Sequence, residues 1–263
     1  MSGMLLRLAG PLQSWGERSV FSPQRDTAPF PTRSGLIGMF AAAEGRNRDQ
    51  DPGGYADLEF TVRIDRPGEL LVDYHTVGGG QPKDRTAATS GGDHKGDAVI
   101  TRRRYLADAV FVVAVTGPDA DIARIADALH QPYWNPYLGR RSCIPDEPFV
   151  LRAQVEDPVH ELLRTIPLST PAAHYCEETS EAGTATVPVD FIWETYPLGP
   201  LPDDAVSVTI TDVPVSYAQH ARSHAKRRIL RTTEPLAAKL QTSPGDLRQR
   251  LIGYATHTEQ ETA

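Results

Sequence analysis

The sequence predicts an α+β chain in which two helices cover one face of an antiparallel sheet, and three observations carry that reading. Segments that read as strands recur at Met4–Leu8, Leu58–Ile64, Val99–Leu106, Ala109–Val115 and Phe149–Val155. Two segments of helical character, about 33–44 and Asp119–His130, are interleaved with them. Glycine and proline punctuate the connections, as at Gly10-Pro11 and Arg66-Pro67-Gly68.

Each element has a local cause. Met4–Leu8 is interrupted only by Arg7 and stops at Gly10-Pro11, which suits a buried strand feeding a loop. Thr32 or Ser34 supplies a hydroxyl cap for the apolar helix that follows, and Gly45 ends it. Leu58, Phe60, Val62 and Ile64 alternate with polar neighbours, the period of a half-buried strand, and Leu70–His75 is expected to return beside it. From Gly78 to Asp97 the composition turns to glycine, threonine, lysine, aspartate and serine, with little to bury, so a projecting loop or hairpin is expected. Ala109–Val115 is almost wholly apolar and is expected at the centre of the sheet. Asp119–His130 carries Ile122, Ile125, Ala126 and Leu129 on one face, with Asp119 placed to cap and Pro132 to terminate. The resulting order is that of a ferredoxin-like (RRM-like) βαββαβ unit over residues 1–156, with a thumb inserted at about 78–97. A smaller β-rich appendage is expected over 157–219, and a basic extension of helical tendency over 220–263.

Composition excludes several function classes. The chain has 263 residues, 40% hydrophobic and 23% charged, which is ample for a folded core. There is no apolar run of about 18 residues, and the start lacks the charged and apolar regions of a signal peptide, so the expected location is the cytoplasm, with no membrane contact. Cys143 and Cys176 stand alone, which builds neither a disulfide framework nor a zinc site. A formal charge of −7 argues against indiscriminate coating of nucleic acid, so any such site is local. Neither a cofactor nor a metal is expected.

Five stretches could carry chemistry. In Gly10-Pro11-Leu12-Gln13-Ser14-Trp15-Gly16, the glycine lets backbone approach a phosphate, Gln13 would bond a base edge and Trp15 would stack. The same residues would equally make a tight turn with a tryptophan in the core. Arg33, Ser34 and Gly35 stand at a helix start, where free N–H groups favour an anion, or where ordinary capping leaves Arg33 solvated. Tyr74, His75 and Thr76 lead into three glycines at the root of the thumb. In Arg102-Arg103-Arg104-Tyr105, alternation puts Arg103 with Tyr105 on one side and Arg102 with Arg104 on the other, and three arginines cannot all be buried unpaired. Guanidinium beside tyrosine suits single-stranded RNA, whereas a charged strand edge would serve only to prevent aggregation. Last, Tyr133, Trp134, Tyr137, Leu138, Gly139, Arg140 and Arg141 crowd one loop, and the paired arginines beside a glycine point to an anion.

Taken in order, LRLAGPLQSWG ending at Gly16, FPTRSGLIGMF over 30–40, DYHTVGG over 73–79, the spacing Arg103-x-Tyr105-Leu106-x-Asp108, and PYLGRRSC over 136–143 resemble the CasD family of Cascade subunits. These belong to the repeat-associated RNA-binding proteins with RRM-like folds. The resemblance covers about the first 150 residues. It implies a non-catalytic subunit of a type I-E CRISPR complex that caps the 5′ handle of CRISPR RNA. Its thumb would meet the backbone subunit, it would contact the large PAM-reading subunit, and it would touch target DNA only indirectly. The residues it places on the RNA or at a subunit contact are Gly10, Pro11, Gln13, Trp15, Arg33, Ser34, Gly35, Tyr74, His75, Thr76, Arg103, Tyr105 and Tyr137 to Arg141.

The rival expectation is a metal-independent endoribonuclease using His75, His94 and Lys95, with Lys83 nearby, to move a proton and stabilise a phosphorane. His94 and Lys95 lie among glycines, a poor place to hold a catalytic group. No G-x-S-x-G, H-E-x-x-H or P-loop pattern is present.

Overall fold

The computed structural model of the chain describes residues 3–17, 23–86, 93, 94, 96, 98–169, 178, 179, 185–218 and 221–256. In chain order the strands are β1 (Gly3–Ala9), β2 (Leu12–Gln13), β3 (Gln24–Arg25), β4 (Glu59–Arg66), β5 (Glu69–Val77), β6 (Val99–Ala107), β7 (Val110–Thr116), β8 (Val150–Val155), β9 (Glu178–Thr179), β10 (Ala185–Trp193), β11 (Val206–Ser216) and β12 (Ser223–Ala237). The α-helices are α1 (Arg33–Ala43), α2 (Asp119–His130), α3 (Pro158–Arg164) and α4 (Leu247–Thr256). None of the described helices is long and apolar enough to cross a membrane.

The fold is mixed α+β and mostly antiparallel. The main sheet runs β11-β12-β10-β4-β7-β1-β8, with β9 on β10, and a second sheet is centred on β6, flanked by β2 and β3 on one side and β5 on the other. β7 is central because both of its faces are buried, and it pairs with β1 in unbroken register from Gly3↔Thr116 to Ala9↔Val110. Alternation sorts the side chains. Met4, Leu6, Leu8, Phe60, Val62, Phe111 and Val113 meet Leu36, Ile37 and Phe40 of α1 and Ile122 and Ile125 of α2. Leu5, Val112, Ala114, Phe191 and Trp193 meet Leu162 of α3 and Leu251 and Tyr254 of α4 on the other face.

Several expectations change. The Leu58–Ile64 segment is not half-buried: β4 buries Thr61 and Arg63 as well as Phe60 and Val62, because α3 covers the face expected to be wet. β5 does not return beside β4 but pairs with β6 in the second sheet, from Glu69↔Ala107 to Val77↔Val99. The N-cap of α2 is Pro118, with no side-chain cap from Asp119. β10 pairs directly with β4, so the main sheet continues without a break past residue 156.

The largest correction is at the basic extension, where Ser223–Ala237 is a strand rather than a helix. Thr232, Glu234 and Leu236 are buried while Arg231, Thr233 and Pro235 are exposed, a period of two that β-branched residues favour. Two of its arginines are also taken up within the chain: Arg227 pairs with Asp212 and Glu194, and Arg231 with Asp190. Among the described residues beyond it, the one α-helix is α4, docked by Arg152 over the Tyr254 ring at 4.2 Å and by Tyr254 donating to Glu161 at 3.0 Å. His220 and Cys176 lie outside the described residues.

Candidate functional site

The turn from Gly10 to Gly16 is tied into the core rather than opened to a ligand. Gln13 is fully buried, donates through Nε2 to the carbonyls of Leu8 and Ala109 at 2.9 and 2.8 Å, and accepts from Trp15 Nε1 at 3.0 Å. Every polar atom of that amide is used. Trp15 is buried against Gly35, where an added Cβ would stand 2.8 Å from the ring. The expected base reading by Gln13 and stacking by Trp15 therefore give way to a core role, because each already has the partners that an RNA base would supply. Replacing Gln13 with alanine should cost about 1–3 kcal/mol in denaturant unfolding, since it orphans two buried carbonyls and an indole N–H. Gly10 is held by a close approach, its Cβ position being 2.6 Å from the carbonyl of Ile144, while Pro11 is exposed.

The start of α1 is likewise an anion site already filled from within the chain. Thr32 caps it through Gly35 N at 3.3 Å, and Asp212 Oδ2 accepts from Arg33 N at 2.7 Å. The Arg33 side chain is buried, bonding Glu194 and the carbonyls of Leu58, Tyr55 and Ala56. Burial pushes the Glu194 carboxyl up, and Arg227 and Arg33 pull it back. Ser34 is buried, and its carbonyl accepts from Tyr217 at 2.6 Å. The expected phosphate contact by Arg33 is thus corrected: this arginine ties α1 to β10 and β11.

The loop after α2 comes next to the turn. Ser14 N donates to Leu138 O at 3.1 Å, Leu138 N to Cys143 O at 2.8 Å, and Cys143 N to Arg140 O at 2.8 Å. Gly139 has φ +85°, and a Cβ there would fall 1.7 Å from Ser14 O, so only glycine fits. Leu138 and Cys143 are buried plugs, and burial pushes the Cys143 thiol up. Arg140 lies over the Tyr105 ring at 4.5 Å, and its Nη1 is buried without an acceptor. Arg141 is exposed and Tyr137 half-buried.

The β5–β6 hairpin gives this loop a neighbouring surface. Residues opposite one another in the register share a face. One face carries Asp73, His75, Thr101, Arg103 and Tyr105, where Arg103 Nε donates to Thr101 Oγ1 at 3.1 Å and His75 Nδ1 is 3.3 Å from Asp73. The other face carries Leu70, Val72, Tyr74 and Thr76 opposite Leu106, Arg104, Arg102 and Ile100, and apart from Leu106 and half-exposed Ile100 these lie open to solvent. Neither Arg102 nor Arg104 meets a carboxylate among the described residues. Sequence reasoning carried Tyr74 and Thr76 of this open face into the site, but of the three arginines it kept only Arg103, on the other face, and left out Arg102 and Arg104. The alternation of Arg102-Arg103-Arg104 contained the signal, yet exposure decides between the two faces, and exposure is not local.

The ribonuclease set does not form a shared centre among the described residues. His75 turns to Asp73, His94 Nδ1 sits 2.6 Å from the carbonyl of Thr86, and Lys95 lies outside the described residues. No group of three or more His, Cys, Asp or Glu side chains converges among the described residues.

Comparisons with known proteins add to this geometry. The model of the family described as CRISPR-associated protein (Cas_Cas5) matches residues 3–230. The CRISPR system Cascade subunit CasD of Escherichia coli (strain K12) is 38% identical over 185 residues, which are 64% of this chain and 78% of that protein. Among solved structures, a chain of a CRISPR RNA-guided surveillance complex superposes with a TM-score of 0.81 at 48% identity, covering 97% of this chain and 100% of that one. A second, a Cas protein, superposes at 0.59 with 28% identity, covering 92% and 99%.

Proposed function

The chain belongs to the CRISPR-associated protein (Cas_Cas5) family, and from that premise we propose that it is a non-catalytic subunit of a Cascade-type, CRISPR RNA-guided surveillance complex in which it holds the 5′ handle of the RNA. The observation that carries the reading is the open face of the β5–β6 hairpin, where Arg102, Arg104 and Tyr74 stand together with no carboxylate partner among the described residues. Unpaired guanidinium groups neutralise a bent RNA backbone, and an exposed tyrosine beside them gives an unpaired base a stacking partner. Arg140, with an N–H still lacking an acceptor, and Arg141 extend the cationic surface past Tyr105.

Within this reading the order β4-β7-β1-β8, with α1 and α2 as the crossovers, is a ferredoxin-like unit. The 78–97 insertion, of which 87–92, 95 and 97 lie outside the described residues, serves as the thumb toward the backbone subunit. Other surfaces meet the large PAM-reading subunit, target DNA is reached through that assembly, and the complex works in the cytoplasm. Gly10, Gly35 and Gly139 act as spacers that allow close backbone approach, Thr76 stands with Tyr74 on the open face, and His75 and Arg103 line the hairpin's second face.

The test is binding of labelled mature handle RNA and of unprocessed repeat RNA to the full chain, in EDTA. Arg102→Ala/Arg104→Ala should weaken handle binding by roughly tenfold or more, and should lower the salt dependence of log K by about 1.4, for two lost contacts to a single strand. Unchanged affinity and salt slope would remove this face from the RNA. Specific cut products in EDTA that vanish in His94→Ala would replace the holding role with RNA processing.

A further inference from the structure

We propose that Tyr133 and Trp134 anchor a protein–protein contact, taken up by a partner subunit that presents an apolar pocket with a basic rim; this rests on the reading that the chain works inside an assembly. Tyr133 is 73% exposed and Trp134 41% exposed, an unusual placement for two large rings side by side. They are nevertheless held firmly. Tyr133 N donates to Ala43 O at 2.8 Å and Trp134 N to Ala42 O at 3.3 Å, so the loop closes off the last carbonyls of α1. The rings meet edge to face with centroids 4.7 Å apart at 85°, and Tyr133 rests on Gly45, where a Cβ would stand 2.9 Å from the ring. Rings fixed in advance lose little freedom when they bind, and tyrosine and tryptophan are the side chains that most often dominate an interface.

The pair is separate from the proposed RNA surface. Trp15 and its neighbour Ser14, against which Gly139 packs, adjoin the first turn of α1 at Gly35, whereas Tyr133 and Trp134 sit at its far end. α1 rises about 12 Å from Gly35 to Ala43 between them.

Charge selects a protein rather than a nucleic acid. Arg46 pairs with Glu44 at 2.8 Å, and Arg124 pairs with Glu44 and, at 2.8 Å, with Asp121. Both guanidinium groups lie over the Tyr55 ring, at 5.0 and 5.5 Å, and Tyr55 itself donates to Glu44. Those cations are already compensated. Across residues 44–51 and 119–130, six carboxylates are set against three arginines and one histidine. A phosphate backbone would be repelled from such a rim, while a basic one would be drawn to it.

The experiment co-expresses the full chain with its partner subunits and a CRISPR array and recovers the complex through a tag on another subunit. Tyr133→Ala/Trp134→Ala should lower the amount of this chain in the complex by roughly tenfold or more. Handle RNA binding by the isolated chain and its thermal midpoint should stay as in the unmodified protein, and Tyr133→Phe should restore incorporation when Trp134 is kept. A photo-crosslinking residue at Trp134 should join a protein subunit. Unchanged incorporation of the double variant, or a crosslink to RNA, would overturn the proposal. Failure of the unmodified chain to enter the complex would overturn the assembly reading and this proposal with it.

Discussion

Arg63→Ala is expected to destabilise the fold by about 3–5 kcal/mol, seen as a large fall in the urea midpoint. Arg63 is fully buried on β4 between the main sheet and α3. Its Nε and Nη2 donate to the two oxygens of Asp65 at 2.7 and 3.2 Å, its Nη1 to the carbonyls of Leu162 and Ile166 at 2.7 and 3.0 Å, and Nη2 again to that of Pro167 at 3.0 Å. Asp65 in turn accepts from Ser169 N at 2.7 Å. The arginine therefore ends α3 and holds the chain that leaves it against the sheet. Alanine takes the guanidinium from a buried carboxylate and the donor from three carbonyls, which is worse than never having had the pair. Arg63→Met/Asp65→Leu, which removes both charges and keeps apolar volume, should lose markedly less. If the single variant unfolds at the same midpoint as the unmodified protein, this ion pair is not what fixes α3.

Gly139→Ala should abolish most of the handle affinity, by roughly tenfold or more if the loop carrying Arg140 and Arg141 is displaced from the RNA. Two costs coincide at this position. Its φ of +85° is one that a side chain rarely adopts, and the new Cβ would have to occupy space 1.7 Å from Ser14 O. Strain alone is worth about 1 kcal/mol. The clash cannot be relieved by a rotamer, because the neighbour is backbone, so the loop must move. Gly199→Ala separates the two costs, since Gly199 has φ +101° with nothing within 4 Å of its Cβ position. That control should lose a little stability and no affinity. Full RNA affinity in Gly139→Ala would show that the seating of the loop on Ser14 is not needed for binding.

The residues that misled and those that guided differ in one respect. α1, α2, β1, β7 and β8 were legible because their causes are local: a hydroxyl cap, a face of Ile122, Ile125 and Leu129, or an uninterrupted apolar run. The Gly10–Gly16 and Arg33–Gly35 stretches were legible as places where backbone packs tightly, but not as internal. Gln13 faces the carbonyls of Leu8 and Ala109, and Arg33 faces Glu194, 161 positions away. A polar residue beside a glycine looks the same in sequence whether its partner is a phosphate or a distant part of the same chain.

β12 shows the same limit from the other direction. Arg227 and Arg231 suggest a solvated helix until Asp212 and Glu194, and Asp190, are brought beside them in the folded sheet. By itself the sequence determined the elements whose period or cap lies within one turn or one strand, the family to which its ordered motifs point, and the concentration of arginine and aromatics near residues 102–105 and 133–141. Tertiary structure alone decided which arginines are consumed by internal carboxylates and which remain free, because a charge is neutralised by whatever stands within a few ångströms in space, however far away along the chain.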